Sequence, residues 1–245
     1  MDLPSTTVTL EGLHALKHAH RFGAVITDIL TDDLPGVLAL AASLAPDVVP
    51  LIEQRAEVIP TARFRELTRQ PVPTHLLSYA ERPRWELAQA LPTAGRPTVL
   101  LDDPRNSKNL GAVVRVAAAA GAAGVLVNGP ADLCDPMAVR GAAGLQWAVP
   151  GWGSPTLLDH LDAARTGWAL VGLDADGDPF QPTTEPVMYA FGSERTGLSA
   201  KVRARCDRLV ALPMRAGVSS LNLATCVSAV LYLSLSAGAT PVPPD

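Results

Sequence analysis

The chain has 245 residues, 48% hydrophobic and 18% charged, with a formal net charge of −4 at pH 7. That much apolar material supports one large domain or two modest ones and excludes a disordered chain. The acidic balance argues against a broad non-specific nucleic-acid binder, while leaving room for local basic patches. Aromatic residues make up only 4%, so Ala, Val and Leu must fill the core. The cysteines Cys134, Cys206 and Cys226 are odd in number, far apart and form no CxxC pair. They read as reduced thiols of a cytoplasmic protein. No basic stretch followed by an apolar run opens the sequence, so no signal peptide is expected.

In chain order, the apolar periodicity predicts a helix over 13–22, a strand over 23–30, helices over 34–44 and 61–69, and a short strand over 74–78. Residues 89–97 carry two prolines and a glycine between better-patterned segments, as linkers do. The expected division is therefore a domain over 1–88, a linker over 89–96 and a second domain over 97–245. Beyond the linker, strands are predicted over 98–101, 124–128, 168–173, 187–191 and 208–212. Helices are predicted over 110–120, 135–143, 156–164, 199–205 and 221–236. Strands alternating with helices imply an α/β fold built on a largely parallel sheet covered on both faces. Ligands in such sheets bind at the carboxyl ends of the strands.

Residues 221–239 carry no charge and approach the length that spans a bilayer. Asn222, Thr225, Ser228, Ser234 and Ser236 would be costly in lipid. A helix buried in the core, with one face in a subunit interface, is the expected reading, and no membrane span is expected.

Three segments fall at strand carboxyl ends. The first runs from Leu101 through a polar loop into a helix, with Asn109 near the expected N-cap and Arg115 nearly two turns on, expected close to the same helix face as the start, in an otherwise apolar setting. The second is Gly192-Ser193-Glu194-Arg195-Thr196-Gly197, where paired glycines allow close backbone approach to a ligand. The third runs from Leu212 through Pro213, Met214 and Gly217 to Ser219-Ser220-Leu221-Asn222, with more polar groups at a helix start than one cap needs.

Together these segments resemble the SpoU/TrmH family of RNA ribose 2′-O-methyltransferases, part of the SPOUT superfamily. Asn109, Gly111 and Arg115 match its first motif. Gly192, Glu194 and Gly197 match the second, and Pro213, Met214, Ser220, Leu221 and Asn222 match the third. The resemblance covers residues 97–237. Residues 10–80 look more loosely like the family's small α/β substrate-binding domain, related in shape to ribosomal protein L30e.

The resemblance implies a Rossmann-like sheet with a C-terminal trefoil knot, a homodimer through the catalytic domain, and S-adenosylmethionine held by Gly192, Leu212 and Leu221. It implies tRNA or rRNA as substrate, with no metal. Arg115 is the implied activator of the ribose hydroxyl, with Asn109, Glu194, Ser220 and Asn222 positioning it, the ribose and the cofactor loops. An arginine keeps its proton, so stabilising the developing alkoxide and orienting a phosphate suits it better than acting as a base. Ser193 departs from the Asn common at that position. Residues 195–215 form one dense basic stretch and Lys17, His18, His20 and Arg21 a smaller one, each readable as RNA contact or as a solvated face. His14 and His18 have helical metal-ligand spacing, but no further ligand cluster accompanies them. Two rival readings remain: a different nucleotide-cofactor Rossmann enzyme, against which the missing GxGxxG speaks, and a non-catalytic RNA-binding relative of the family.

Overall fold

The computed structural model describes residues 6–68 and 70–238. It divides into two compact units. One comprises the chain up to Arg84 together with Ala142–Ala148, the other Trp85–Gly141 and the chain from Val149 onward.

The first unit has a four-stranded sheet in the order β1-β4-β2-β3, with β1 at Thr7–Glu11, β2 at Ile26–Thr31, β3 at Ala56–Val58 and β4 at Leu76–Glu81. Strand β4 runs antiparallel to both neighbours and is buried from Leu76 to Ala80, as a central strand's continuous apolar run requires. Four helices accompany it: α1 (Leu13–Arg21), α2 (Leu34–Leu44), α3 (Val49–Arg55) and α4 (Thr61–Leu67). The start of α2 follows from its sequence. The Asp33 carboxylate accepts from the Gly36 amide at 3.1 Å, and a proline occupies the first turn. The strand predicted over 74–78 begins two residues later, because His75 takes a left-handed backbone (φ 49°) that breaks the pleat. The helix predicted over 61–69 ends at Leu67, and Arg69 lies outside the described residues.

The second unit holds a six-stranded sheet, parallel throughout, in the order β10-β8-β9-β5-β6-β7. Its strands are β5 (Thr98–Asp102), β6 (Gly124–Asn128), β7 (Gly151–Ser154), β8 (Ala169–Pro179), β9 (Val187–Phe191) and β10 (Arg208–Ala211). Every residue of β5 and β9 is buried, the mark of central strands covered on both faces. Alternation along β9 feeds two cores. Met188 and Ala190 join Leu100, Leu126, Leu157, Leu161 and Val202, while Tyr189 points the other way and meets Ser234 Oγ at 3.4 Å.

Helices α5 (Ser107–Ala119), α6 (Pro136–Ala142), α7 (Leu157–Ala164), α8 (Ala200–Arg203) and α9 (Leu223–Ser236) complete the unit. Helices α5 and α9 pack together. They bury Leu110, Val113, Val114 and Ala117 from one and Leu223, Val227, Val230 and Leu231 from the other, both at helical spacing. The uncharged segment yields a helix of 14 residues. No helix among the described residues is long and apolar enough to cross a membrane. Its outer face leaves Tyr232 and Leu233 nearly half exposed. The chain moves outward from β5 through β6 to β7, then crosses to β8 on the opposite side and inserts β9 beside β5. The carboxyl ends of β5 and β9 therefore adjoin where the strand order reverses, the place an open parallel sheet offers a ligand.

Candidate functional site

A cavity of about 670 Å³ opens beside that point, at the carboxyl end of β9 and toward β8 and β10. The middle of β8, the ends of β9 and β10 and the start of α9 wall it with Leu173, Asp174, Gly192, Glu194, Leu212 and Leu221. Ser220, Asn222 and Cys226 also line it. Of the eight residues singled out from sequence, six therefore face one cavity; Asn109 and Arg115 are the two that do not line it.

The Gly192–Gly197 loop is a tight hairpin. Ser193 and Gly197 exchange backbone hydrogen bonds of 3.1 and 3.0 Å. Gly197 sits at φ 66°, where a side chain would strain the backbone. A Cβ on Gly192 would lie 2.0 Å from the Gly197 carbonyl carbon, so only glycine closes the loop this tightly. Ser193, with a shorter side chain than the Asn common at that position, turns inward and meets Thr196 Oγ1 at 2.7 Å.

Asn109 joins the site through a polar relay. Its Nδ2 donates to Glu194 Oε1 at 2.6 Å, and its Oδ1 accepts from Asn222 Nδ2 at 3.2 Å. The expectation that Asn109 caps its helix is corrected. Asn106 is the N-cap, its Oδ1 accepting from the Lys108 and Asn109 amides at 2.9 and 3.4 Å, so the Asn109 side chain is free to bridge. Asn222 does both jobs. It caps α9 through bonds of 2.9 and 3.4 Å from the Ala224 and Thr225 amides while its Nδ2 reaches Asn109. Side chains from all three motif segments are thereby brought into one chain of hydrogen bonds.

Arg115 stands apart from that chain. It is exposed on α5, with no side-chain hydrogen bond or ion pair among the described residues. Six helical residues sweep about 600°, which leaves Arg115 about 120° round the helix from Asn109, so the expectation that it nearly shares the face of the helix start is also corrected.

Sequence reasoning missed Asp102 and Asp174. Asp102 is a buried carboxylate, 3% exposed, at the end of β5. Asp174 lines the cavity and forms an ion pair with Arg203. Neither belongs to a recognisable motif, and only the folded sheet brings their partners close. Burial pushes the Cys226 thiol up to about 11, so it faces the cavity as a neutral group.

Pairing divides the basic stretch. Arg203 is held by Asp174, and Arg205 by Asp162 at 2.8 Å. Arg195, Lys201, Arg208 and Arg215 are exposed, with no ion pair among the described residues. In the first unit Arg21 is held by Asp47 at 2.6 Å, and His18 Nδ1 contacts the Ala143 carbonyl at 2.8 Å, burial lowering its basicity. That leaves Lys17 and His20 as the members of the smaller cluster without such a partner. No group of three or more His, Cys, Asp or Glu side chains able to hold a metal occurs among the described residues.

A parallel sheet with a cavity at the carboxyl end of β9, and a side-chain relay joining three segments, defines an α/β ligand-binding scaffold. Residues 96–232 match the SpoU rRNA Methylase family, and the chain belongs to that family. It is 38% identical over 145 residues to a 23S rRNA (uridine(2479)-2′-O)-methyltransferase of Streptomyces viridochromogenes, covering 55% of this chain and 50% of that one. It is 37% identical over 150 residues to an uncharacterized tRNA/rRNA methyltransferase of Mycobacterium ulcerans (strain Agy99), covering 59% of this chain and 48% of that one. These alignments span about half the length of the curated relatives. Among solved structures, the SpoU methyltransferase AviRb from Streptomyces viridochromogenes in complex with AdoMet superposes with a TM-score of 0.79 at 25% identity, covering 97% of this chain and 92% of that one. The AdoMet-bound rRNA methyltransferase from Sinorhizobium meliloti shares the fold, with a TM-score of 0.76 at 24% identity.

Proposed function

We propose that this protein transfers the methyl group of S-adenosylmethionine to a ribose 2′-hydroxyl in rRNA or tRNA. The observation that carries this reading is the relay Glu194–Asn109–Asn222 at the mouth of a cavity lined by Gly192, Leu212 and Leu221. The cavity's volume suits a cofactor of that size, and Gly192, which has no side chain to screen its backbone, lies on the wall. The start of α5 is capped by Asn106 and follows a loop without glycine, unlike a dinucleotide phosphate site.

S-adenosylmethionine supplies a methyl group on a sulfonium that leaves as a neutral thioether. The rest falls to the chain's own residues. The ribose hydroxyl must pass its proton to solvent water as its oxygen attacks, so a group that stabilises the developing alkoxide lowers the barrier. Arg115 fits that role, since it is exposed and unpaired and offers a planar fork to the alkoxide and an adjacent phosphate. Glu194, Asn109 and Asn222 hold the loops in register, and Ser220 provides a hydroxyl at the cavity wall.

Three further features belong to this reading. The C-terminal segment forms a trefoil knot, which fits β10 standing at the sheet edge while α9 returns to pack on α5. The catalytic unit dimerises through the uncharged outer face of α9, where Tyr232 and Leu233 lie exposed. The first unit is an L30e-like RNA-binding domain. The test is calorimetric binding of S-adenosylmethionine, followed by transfer of a labelled methyl group to rRNA and tRNA. Binding with transfer that depends on Arg115 supports the reading. Binding without transfer to any RNA returns the chain to a non-catalytic RNA-binding role, and no binding overturns the cofactor.

A further inference from the structure

We propose that Asp102, which lies in the first segment but is none of its motif residues, is the positioning residue that fixes the Gly192–Leu198 loop and, through it, the cofactor cavity and Glu194. Asp102 ends β5, and both of its carboxylate oxygens are committed. Oδ1 accepts from Asn128 Nδ2 at 2.7 Å, and Oδ2 accepts from the Ser199 backbone amide at 2.7 Å. The first bond locks the carboxylate to β6, where Asn128 is its register partner. The second grips the far end of the loop. The near end is already beside β5, because Phe191 pairs with Leu101 in the sheet. Both ends of the loop are therefore fastened to the last two residues of one strand. The helix that follows this strand carries Asn109, which reaches Glu194 within the same loop.

The frame closes on itself, from Asp102 to Ser199, through the loop to Glu194, across to Asn109 and back along the start of α5. A carboxylate suits the position. It is 3% exposed, and hydrogen bonds from two donors offset its desolvation, whereas removing the charge would leave the part-buried Ser199 amide with a weaker, uncharged acceptor. Nothing in this frame places Asp102 on a ligand. Its effect runs through the loop.

The experiment rests on S-adenosylmethionine as ligand and has an arm that does not. Asp102→Asn keeps the volume and removes the acceptor charge. Its affinity for S-adenosylmethionine by calorimetry should fall about tenfold or more. Amide exchange of the peptide over 192–199 should accelerate while β5 and β6 stay protected. Ser199→Pro tests the same bond from its other side. Ser199 has φ −63° and ψ 154°, which proline accepts, so the substitution removes the amide donor without bending the chain. Ser199→Ala controls for the lost helix cap. Ser199→Pro should bind more weakly than Ser199→Ala, and combining it with Asp102→Asn should add little, because both cut one link. A folded Asp102→Asn variant with affinity within about twofold of wild type and unchanged exchange over 192–199 overturns the proposal. So does a Ser199→Pro variant that matches Ser199→Ala in both measurements, which decides the case if Asp102→Asn does not fold. If the wild type binds no S-adenosylmethionine, the proposed function fails and the exchange arm still judges Asp102.

Discussion

Replacing Asn109 by Asp changes one atom of the relay and sets a charge against a charge. In the wild type the Asn109 amide donates to Glu194 Oε1 at 2.6 Å. An ionised carboxylate in its place repels Glu194 from the same position. Two unit charges about 4 Å apart cost about 1 kcal/mol in water and about 4 kcal/mol at the effective dielectric of a protein surface. Asn109 is half-buried and Glu194 exposed, so the lower part of that range applies. About 1–2.5 kcal/mol corresponds to a loss of about 5- to 60-fold in the population of the aligned relay. The sign with pH follows. A neighbouring negative charge raises the introduced carboxyl above its usual range. Below that raised value it keeps its proton and can donate to Glu194 as the amide did. As pH rises through it, the relay breaks. That cost of about 1–2.5 kcal/mol places the raised value at about 4.6–5.7, so single-turnover methyl transfer by Asn109→Asp, divided by the wild-type rate at each pH, should be highest near about pH 4.5 and fall to a low plateau by about pH 7. The same ratio for Asn109→Ala should be low and flat. A variant that keeps full relative turnover at the alkaline end would refute the relay's role.

Arg115→Ala should lose methyl transfer by about 100-fold or more while leaving S-adenosylmethionine affinity nearly unchanged, and Arg115→Lys should fail as well for want of the planar fork, as single-turnover assays beside binding titrations will show. Gly192→Ala should weaken S-adenosylmethionine binding by about 100-fold, because its methyl group would meet the Gly197 backbone at 2.0 Å, and calorimetry would read this directly. Leu233→Glu, on the exposed apolar face of α9, should convert dimers to monomers in sedimentation, since an unpaired charge is costly in a buried interface. A wild-type monomer at micromolar concentration would count against the dimer.

The second unit was largely legible in the sequence because its signals are local. Apolar runs over 124–128 and 187–191 match β6 and β9 to the residue. Strand β7, with sequence GWGS, was invisible because it has neither β-branched residues nor alternation. In the first unit β1, α3 and β3 went unpredicted, the last two being short elements set by tertiary pairing. Motif spacing singled out Asn109, Glu194 and Asn222, but not that they bond to one another, since 85 and 113 residues separate Asn109 from its two partners. Spacing also misjudged the cap of α5, where Asn106 and Asn109 are equally plausible by composition and only backbone geometry chooses between them. Charge counting overstated the basic patches, because the acids that hold Arg203, Arg205 and Arg21 lie 29, 43 and 26 residues away along the chain.

The central claim is that the methyl group goes to a ribose oxygen of RNA. Purified protein, S-adenosylmethionine labelled in its methyl group, and total RNA from cells lacking this gene are the reactants. The product is digested with alkali, which cleaves RNA through the free 2′-hydroxyl and spares any linkage where that oxygen is methylated. Label should be confined to an alkali-resistant dinucleotide, and absent with Arg115→Ala. Label recovered in ordinary mononucleotides, as base methylation would give, would contradict it.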